Sequence, residues 1–340
     1  MTTRHPYYNY DKLYSYNGVY NFLVGGRGLG KTYGAKKKAI KAAIEKDDEF
    51  IYLRRYKSEL IASKNTFFAD IKHEFPLWEF KTNGSVALGT KDLNLSPKEK
   101  QWKILGYFVS LSTAQTQKSV AFPKVKLIIF DEFIIETGLI HYLRNEATIF
   151  TNFYSTVDRY TDKTKVLFLA NSVSIMNPYF IEYEIRPDQE SEFYTSHKGF
   201  IVCHFPSSKD FQKSVYNTIF GKFIQDTEYS RYAVANQFTD NHNALLGDKD
   251  PKMRYVFTVE CQSNTFSVWQ NYDTDNYFVQ TKRPKIEFLL TLVPSKHASN
   301  KILITYNDRV LQSLRTAFRQ ARVTFDKPGT RNTFAEIFKR

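Results

Sequence analysis

The sequence has few cysteines and no long hydrophobic run, and each absence excludes a class of protein. Only Cys203 and Cys261 occur among 340 residues, so neither a disulfide framework nor a four-cysteine metal site can form. No apolar run approaches the roughly 18–20 residues that a membrane-spanning helix needs. The polar N-terminus MTTRHPYYNYDK also lacks the apolar stretch of a signal peptide. We therefore expect a cytoplasmic protein with no membrane segment.

Acidic residues are fewer than basic residues. Lysine and arginine together number 48 against 35 aspartates and glutamates, which gives a formal charge of +13. A polyanionic partner such as nucleic acid follows naturally, because each neutralised phosphate releases counterions. Charge alone does not decide the matter, since many basic proteins bind no nucleic acid.

Apolar strands alternate with helix-like stretches in the first half of the chain. Such alternation, with strands that are apolar throughout, is typical of a parallel sheet covered by helices on both faces. Between Trp78 and Ser112, turn residues break the pattern into short strands, which favours an antiparallel insertion. The predicted strands are 20–24, 50–53, 126–130 and 166–170, and the predicted helices are 31–44, 58–75 and 141–160.

The second half is less regular. A small helical connector is expected over 213–243, followed by short strands at 254–260, 265–269 and 277–280 and a final helix over 308–322. The final helix carries Arg315, Arg319 and Arg322 on one side, and from Ala244 onward 16 basic residues stand against 9 acidic ones. These arginines are candidate nucleic-acid contacts, although a solvated helix face is the commoner explanation of such a pattern.

A phosphate-binding loop is the strongest motif. Residues 25–32, GGRGLGKT, fit G-x-x-x-x-G-K-[ST] and lie between a predicted strand and a predicted helix, as the mechanism requires. The glycines let backbone N–H groups turn toward the phosphates, Lys31 reaches the β- and γ-phosphates, and the Thr32 hydroxyl binds Mg²⁺. The alternative is a glycine-rich turn without a ligand. The candidate ATP-binding residues are Gly25, Gly26, Arg27, Gly28, Leu29, Gly30, Lys31 and Thr32.

A pair of carboxylates follows a neighbouring apolar strand. In the segment LIIFDE, Asp131 is placed to hold Mg²⁺ through water, and Glu132 is placed to polarise the attacking water as general base. An Asp-Glu pair at this position could instead cap the strand or form a local salt bridge. Beside a P-loop, the added glutamate favours ATP hydrolysis over phosphorylation of a small molecule.

Two further residues fall where P-loop enzymes place phosphate sensors. Asn171 ends the strand VLFLA, so its amide is a candidate sensor of the γ-phosphate, with an ordinary strand-end cap as the alternative. Arg159 follows the helix after Glu132 and is a candidate catalytic arginine finger in the site of a neighbouring subunit. The alternative for Arg159 is an ordinary surface arginine.

These motifs together resemble a known family. The segments GGRGLGKT, FIYLRRYK, FPKVKLIIFDEF, STVDRY, LANSVSIMNPYF and FGKFIQDTEYSRYAVANQF are similar to the DNA-packaging ATPase of small, protein-primed tailed bacteriophages. The resemblance runs from about residue 17 to residue 238, and beyond it only WQNYDTDNYF and the final basic helix are similar. It implies an α/β fold with an ASCE-type P-loop ATPase domain, a small helical linker domain and a smaller α+β C-terminal domain of RNase H-like shape. We accordingly expect domains at 1–212, 213–243 and 244–340.

The resemblance also implies an assembly and further contact residues. Members of the family form a homomeric ring of five subunits at the portal vertex of a procapsid and drive double-stranded DNA inward. By resemblance, Arg54, Arg55, Lys57 and Lys118 contact nucleotide at the subunit boundary or DNA in the channel. One departure stands out, because this chain has Tyr160-Thr161-Asp162-Lys163 where relatives carry several arginines. A lysine such as Lys163 or Lys165 must substitute if a second cation matters there.

The leading hypothesis is therefore an ATP-driven ring motor of the host cytoplasm that docks transiently on a procapsid and uses ATP and Mg²⁺. Two alternatives remain open: a helicase or replication ATPase, and a nucleic-acid binding protein that holds nucleotide without hydrolysing it. No two carboxylates of the C-terminal third end adjacent predicted strands, so we expect no two-metal nuclease there. That region is expected to dock on DNA, the portal protein or a scaffold RNA.

Overall fold

A computed structural model describes residues 7–117, 121–135, 141–171, 177–185, 191–206, 209–234, 245–261, 264–320, 322–335 and 337. Contacts divide these residues into two compact units. The first unit contains the described residues up to 134, those from 148 to 171 and those from 191 to 234. The second contains 135, 141–147, 177–185 and the described residues from 245 onward. No helix in the described ranges is both long and apolar enough to cross a membrane.

The first unit is built on a nine-stranded sheet. Its strand order is β3-β4-β5-β2-β6-β7-β1-β9-β8. Six neighbouring strands, β5, β2, β6, β7, β1 and β9, are parallel. The pairs β3-β4, β4-β5 and β8-β9 are antiparallel. Every residue of β1 and β2 is buried, because helices cover both faces of the sheet. The strands are β1 Tyr20–Val24, β2 Glu49–Arg54, β3 Glu79–Asn83, β4 Val86–Thr90, β5 Lys103–Ser110, β6 Val125–Asp131, β7 Lys165–Ala170, β8 Phe193–Ser196 and β9 Ile201–His204.

Two helices of the first unit are shorter than predicted: the helix expected over 141–160 spans only Glu146–Asp158, and the helix expected over 58–75 spans only Lys57–Asn65, after which turns follow. In α2, which spans Lys31–Lys46, Ala35, Ala39 and Ala43 are fully buried and belong to the same core cluster as Phe50 and Ile129 of the sheet, so small side chains let the helix pack closely. The helices are α1 Asp11–Ser15, α2 Lys31–Lys46, α3 Lys57–Asn65, α4 Glu146–Asp158, α6 Lys209–Tyr216, α7 Ile219–Ile224 and α8 Glu228–Ala233, with α5 Pro178–Glu182 in the second unit.

The second unit has a six-stranded sheet in the order β14-β13-β10-β11-β12-β15. Strands β10, β11 and β12 are antiparallel to one another, β13 and β14 continue parallel to β10, and β15 is parallel to β12. The run β12-β11-β10-β13-β14 has the strand order of an RNase H-like fold, as expected. Its elements are β10 Arg254–Cys261, β11 Asn264–Asn271, β12 Asn276–Gln280, β13 Leu289–Thr291, β14 Lys301–Leu303, α9 Arg309–Arg319, β15 Val323–Phe325 and α10 Pro328–Ala335.

The predicted class is confirmed, since an α/β unit with a parallel sheet is followed by a separate C-terminal unit. The division into units differs from the three expected domains in two ways. The described residues of 135–147 and 173–185, which lie inside the expected ATPase domain, group with the C-terminal unit. The described residues of 213–243 group with the first unit, so a separate linker domain stays a prediction.

Candidate nucleotide-binding and active site

The glycine-rich P-loop connects the carboxyl end of β1 to the amino end of α2. Gly28 and Gly30 have φ angles of 84° and 80°, a left-handed conformation that glycine adopts readily and other residues rarely. Gly30 directly precedes α2, so the first backbone N–H groups of the helix face the loop. Within the loop Leu29 is buried and Arg27 is exposed. Loop and helix terminus together have the form that binds phosphate groups.

Lys31 occupies the centre of this loop. It is 7% exposed, and its Nζ donates hydrogen bonds to the carbonyl oxygens of Gly25 and Gly26 at 2.7 Å each and to Oδ1 of Asn171 at 2.9 Å. The structure thus brings together two residues that the sequence placed 140 positions apart. The ammonium group lies where a bound triphosphate would offer it phosphate oxygens instead.

Asp131, at the carboxyl end of β6, lies beside Thr32. The Thr32 hydroxyl is 3.0 Å from Oδ1 and 3.2 Å from Oδ2 of Asp131, and the Tyr52 hydroxyl donates to Oδ2 at 2.7 Å. Burial raises the pKa of Asp131, while the positive charge of Arg54 and the hydrogen bonds of Tyr52 and Thr32 oppose that rise. A hydroxyl oxygen and a carboxylate in contact fit Mg²⁺, which prefers oxygen ligands and keeps several waters.

Glu132 has a strained backbone and a cationic partner. Its φ angle is 58°, a conformation that costs free energy in a non-glycine residue and is frequent at functional sites. Its side chain is 60% exposed, and Oε2 lies 2.5 Å from Nη2 of Arg54. Arg54 also lies 3.5 Å from Glu59 and 3.8 Å from Asp131. Burial disfavours the charged guanidinium, but the carboxylates of Glu132 and Asp131 raise the pKa of Arg54 above its ordinary value.

The other basic residues of the RRYK segment separate into two kinds. Arg55 is 2% exposed, and its guanidinium donates to the carbonyl oxygens of Glu132 at 3.2 Å and Phe133 at 2.6 Å. The expected contact of Arg55 with DNA or a neighbour's nucleotide does not fit this burial, since Arg55 instead fastens the backbone that carries Glu132. Lys57, the first residue of α3, is exposed. Lys118 lies outside the described residues.

Arg159 lies in an unusual turn after α4. Arg159, Tyr160 and Asp162 have φ angles of 52°, 57° and 55°, and both Arg159 and Tyr160 are exposed. The carboxylate of Asp158 accepts hydrogen bonds from the four backbone N–H groups of residues 161–164 at 2.9–3.1 Å. Burial of Asp158 is outweighed by these bonds, which lower its pKa. Asp158 thus holds the left-handed turn in place.

The position of this turn bears on which site Arg159 could serve. Thr164, at the end of the turn, donates to the carbonyl oxygen of Val125, the first residue of β6, at 3.0 Å. Asp131 is the last residue of the same strand, and seven residues of strand span about 20 Å. Arg159 therefore lies at the amino edge of the parallel strands, opposite the phosphate site of the same chain.

The helix expected over 308–322 is α9, which ends at Arg319 and is followed by β15 and α10, so Arg322 lies beyond the helix predicted to carry it. Two of the three candidate arginines have partners within the second unit. Arg322 is 8% exposed, and its Nη1 lies 2.5 Å from Oδ2 of Asp275, so the expected role of Arg322 as a nucleic-acid contact does not fit its burial. Arg319 pairs with Glu184 at 2.9 Å and stays partly exposed. Arg315 is partly exposed on α9 and remains a candidate.

The carboxylate of Glu260, on β10, is held between two lysines. Lys296 and Lys301 lie 2.7 and 2.6 Å from its oxygens, and their hydrogen bonds lower the pKa of Glu260. Within the described ranges, no group of three histidine, cysteine, aspartate or glutamate side chains is arranged to hold a metal ion.

Sequence reasoning missed three residues of these arrangements. Tyr52 shares a strand face with Arg54, two positions on, and this alternation is the signal that could have located it. Glu59 also accepts from the Tyr56 backbone N–H at 2.8 Å, in the spacing of a capping box. Asp158 is followed by threonines and another aspartate, which is typical of a turn closed by a side chain.

Fold and site together define a P-loop NTPase, with a strand, a glycine-rich loop and a helix beside an Asp-Glu pair on an adjacent parallel strand. The family model of the podovirus DNA encapsidation protein (Gp16) matches residues 2–340. The chain belongs to this family, and the prediction of a viral DNA-packaging protein is confirmed.

Individual relatives agree over nearly the whole chain. The DNA packaging protein of Bacillus phage phi29 is 32% identical over 337 residues, covering 98% of this chain and 97% of the relative. That of Bacillus phage B103 is 33% identical over 333 residues, covering 96% and 99%.

Solved structures also match. The bacteriophage phi29 viral genome packaging motor assembly is similar with a TM-score of 0.57 at 32% identity, covering 98% of both chains. The N-terminal domain of the phi29 DNA packaging ATPase has a TM-score of 0.53 at 35% identity, covering 60% of this chain and 98% of that one. The Phi-28 gp11 DNA packaging motor, at 18% identity and a TM-score of 0.57 over 99% of both chains, shares the fold.

Proposed function

We propose that this protein hydrolyses Mg²⁺-bound ATP and couples hydrolysis to the movement of double-stranded DNA into a procapsid. The observation that carries the proposal is the convergence of Lys31, Thr32, Asp131 and Glu132 at the carboxyl edge of one parallel sheet. The relatives named as a packaging motor and a packaging ATPase support the same activity. Procapsid docking would bring a protein of the host cytoplasm to the portal vertex.

Nucleotide binding requires Lys31 to change partners. In the structure its ammonium donates to two carbonyl oxygens of its own loop. When the triphosphate of ATP lies along the loop, Lys31 exchanges these neutral acceptors for charged phosphate oxygens, which form stronger hydrogen bonds. Thr32 and Asp131 would hold Mg²⁺, which neutralises charge on the β- and γ-phosphates. Asn171 remains beside Lys31 and contacts the γ-phosphate or the attacking water.

Hydrolysis requires Glu132 to accept a proton from water. In the structure Oε2 of Glu132 accepts from Arg54, so a Glu132 side chain that turns toward the attacking water to act as base leaves this partner. Arg54 then has a free donor edge next to the phosphate site. We assign Arg54 to nucleotide contact on this ground.

Arg159 completes the site of a neighbouring subunit in a ring. Its place at the amino edge of the sheet separates it from the phosphates of its own subunit, and its exposure leaves it available to another. An arginine on the transferring phosphoryl group accelerates hydrolysis by about 10³–10⁵. The ring is proposed to contain five subunits.

The second unit is proposed to dock on DNA, the portal protein or a scaffold RNA. Its excess of basic residues supports a polyanionic partner, and Arg315, Arg319 and, in the first unit, Lys57 keep side-chain exposure. A helicase or replication ATPase would share the phosphate site but would need no procapsid.

The test is a packaging reaction with purified protein, DNA-free procapsids, double-stranded DNA and Mg²⁺-ATP. We expect DNA to become resistant to nuclease only when ATP is present, and the procapsids to stimulate hydrolysis. Lys31→Ala should abolish both readouts. Hydrolysis that responds to DNA but not to procapsids would favour the helicase alternative, and binding of ATP without turnover would favour a nucleic-acid binding protein.

A further inference from the structure

An N-terminal segment, residues 7–10, packs on the P-loop. The Tyr8 backbone N–H donates to the carbonyl oxygen of Leu29 at 2.9 Å, and the Tyr10 hydroxyl donates to the carbonyl oxygen of Lys31 at 2.5 Å. The ring of Tyr10 also lies so close to Gly34 that a Cβ there would be only 2.7 Å from it. The segment is thus fastened to the last residues of the loop and to the first turn of α2.

At the start of this segment, Tyr7 forms an aromatic pair with Tyr33. The two rings are stacked, with centroids 4.9 Å apart and an interplanar angle of 29°. Tyr7 also lies directly against Gly30, because a Cβ there would be 2.4 Å from Cδ1 of Tyr7. Tyr7 nevertheless keeps 53% of its surface exposed. A large aromatic surface therefore faces solvent beside the phosphate loop.

Contacts of its hydroxyl group fix the orientation of Tyr33. Its hydroxyl donates to the carboxylate of Glu74 and lies 3.3 Å from Nε2 of His73. Glu74 is in turn paired with Lys37 at 2.7 Å. These contacts hold the ring of Tyr33 against that of Tyr7, so the stacked pair forms without any ligand.

We propose that Tyr7, supported by Tyr33, binds the base of the nucleotide. This inference rests on the proposed function. The γ-phosphate end of the site is marked by Lys31, Asn171 and Glu132, so the α-phosphate end of the triphosphate runs past Thr32 toward the first turn of α2. Tyr33 is the next residue along that turn, and the ribose and base leave the loop there.

Stacking is the interaction that such a surface offers. A base stacked on an aromatic side chain contributes enough binding free energy for about 5- to 150-fold in affinity. Because every base has a π-face, stacking alone discriminates little among bases. The proposed ligand is therefore a nucleoside triphosphate held by its base as well as its phosphates, with the exposed ring surface of Tyr7 as the platform.

The test compares ATP with inorganic tripolyphosphate, which lacks ribose and base, by titration calorimetry on the full-length protein with Mg²⁺. The unsubstituted protein should bind ATP more tightly than tripolyphosphate. Tyr7→Ala should weaken ATP binding about tenfold and leave tripolyphosphate binding within about twofold. Tyr7→Trp should restore ATP binding.

Tyr16→Ala is the matched control, because Tyr16 is also an exposed tyrosine, stacked on Phe193 at 4.6 Å. It should change neither affinity. Equal losses of affinity for both ligands in Tyr7→Ala would show that Tyr7 only supports the loop. Unchanged ATP affinity in that variant would remove Tyr7 from the site. Either result overturns the proposal, as does an unsubstituted protein that binds ATP no better than tripolyphosphate. Failure of the proposed function is a separate result, since it shows as ATP binding without turnover or DNA movement.

Discussion

Nη2 of Arg54, the last residue of β2, lies 2.5 Å from Oε2 of Glu132, the residue directly after β6. The glutamine variant Glu132→Gln keeps the size and the acceptor oxygen that Arg54 contacts but cannot take a proton from water. We expect turnover to fall by about 10²–10⁴ while the Kd for ATP stays within a few fold, as measured by steady-state hydrolysis and calorimetry.

Glu59→Gln provides the control for this variant. Glu59 lies 3.5 Å from the same nitrogen of Arg54 but on α3, where its other carboxylate oxygen accepts from the Tyr56 backbone N–H. Its substitution should leave turnover within a few fold. Ordinary turnover by Glu132→Gln would remove Glu132 from the role of base.

Tyr52→Phe tests the carboxylate that would hold Mg²⁺. Burial raises the pKa of Asp131, and the Tyr52 hydroxyl is one of the groups that lower it. Mg²⁺ needs the ionised carboxylate, so its affinity is lost as the pH falls through the pKa of Asp131. Removing the hydroxyl raises that pKa further and moves the loss to higher pH.

We therefore expect Tyr52→Phe to require about tenfold more Mg²⁺ for half-maximal ATPase activity near neutral pH, since a hydrogen bond to a charged group is removed. The defect should grow on acidification. A Tyr52→Phe variant with an unchanged Mg²⁺ requirement at every pH would show that Tyr52 does not contribute to the metal site. Tyr14→Phe, at another buried tyrosine hydroxyl, is the control.

Short-range patterns account for what the sequence predicted well. The P-loop and the Asp-Glu pair each lie within a few consecutive residues, so their spacing and flanking strands sufficed. Tyr52 and Asp131 are 79 positions apart, and their contact depends on the parallel register that places Leu53 opposite Phe130. No local pattern specifies that register.

Burial explains why two of the predicted contact residues, Arg55 and Arg322, do not fit that role. Arg54 and Arg55 are adjacent, and side chains at the end of a strand point to opposite faces. Arg54 consequently reaches the carboxylates of the site, whereas Arg55 turns inward to the backbone of Glu132 and Phe133. A charge count treats the two as equal, because it contains no information on which face of the sheet is covered.

Asp158→Asn tests the turn that carries Arg159. The asparagine has one acceptor oxygen for four backbone N–H groups, and its own NH₂ group faces donors. We expect a loss of about 1–3 kcal/mol in the free energy of unfolding, and a fall in turnover with ATP affinity retained. Asp162→Asn, which removes the same charge from the same turn, should do neither.

The contribution of Asp158 to the free energy of unfolding depends on pH with a definite sign. The pKa of Asp158 is lowered in the folded protein, so its stabilisation is complete above the ordinary aspartate value of about 3.9. It is lost as the pH falls below that value toward the folded-state pKa. Chemical denaturation at several pH values should therefore show the difference between Asp158→Asn and the unsubstituted protein shrinking in acid.

The second unit should bind polyanions without cutting them. Glu260 already has two lysines in contact with its carboxylate, so a divalent cation would have to displace both. We expect the full-length protein to leave plasmid DNA intact with Mg²⁺ or Mn²⁺. Cleavage that is lost in Glu260→Gln would contradict this prediction, and cleavage that persists would point to a contaminating nuclease.

The trans role of Arg159 is testable by mixing inactive proteins. Arg159→Ala should keep its ATP affinity within a few fold and lose most of its turnover, because a finger contributes about 10³–10⁵ in rate. Arg159→Lys should recover little, since an ammonium lacks the bidentate fork of a guanidinium. Lys163→Ala measures whether a second cation of the turn also acts.

Co-assembly of Arg159→Ala with Glu132→Gln then gives the decisive measurement. A mixed ring contains interfaces at which an intact Glu132 site meets an intact Arg159 from the next subunit, so hydrolysis should recover in part. A finger that acted within its own subunit would give no such recovery, because every Glu132 site would then lack either its base or its arginine. The interfaces must be shown to form, by cross-linking or native mass spectrometry of differently tagged subunits. Mixed rings that stay at background at every ratio would show that Arg159 does not act on a neighbour.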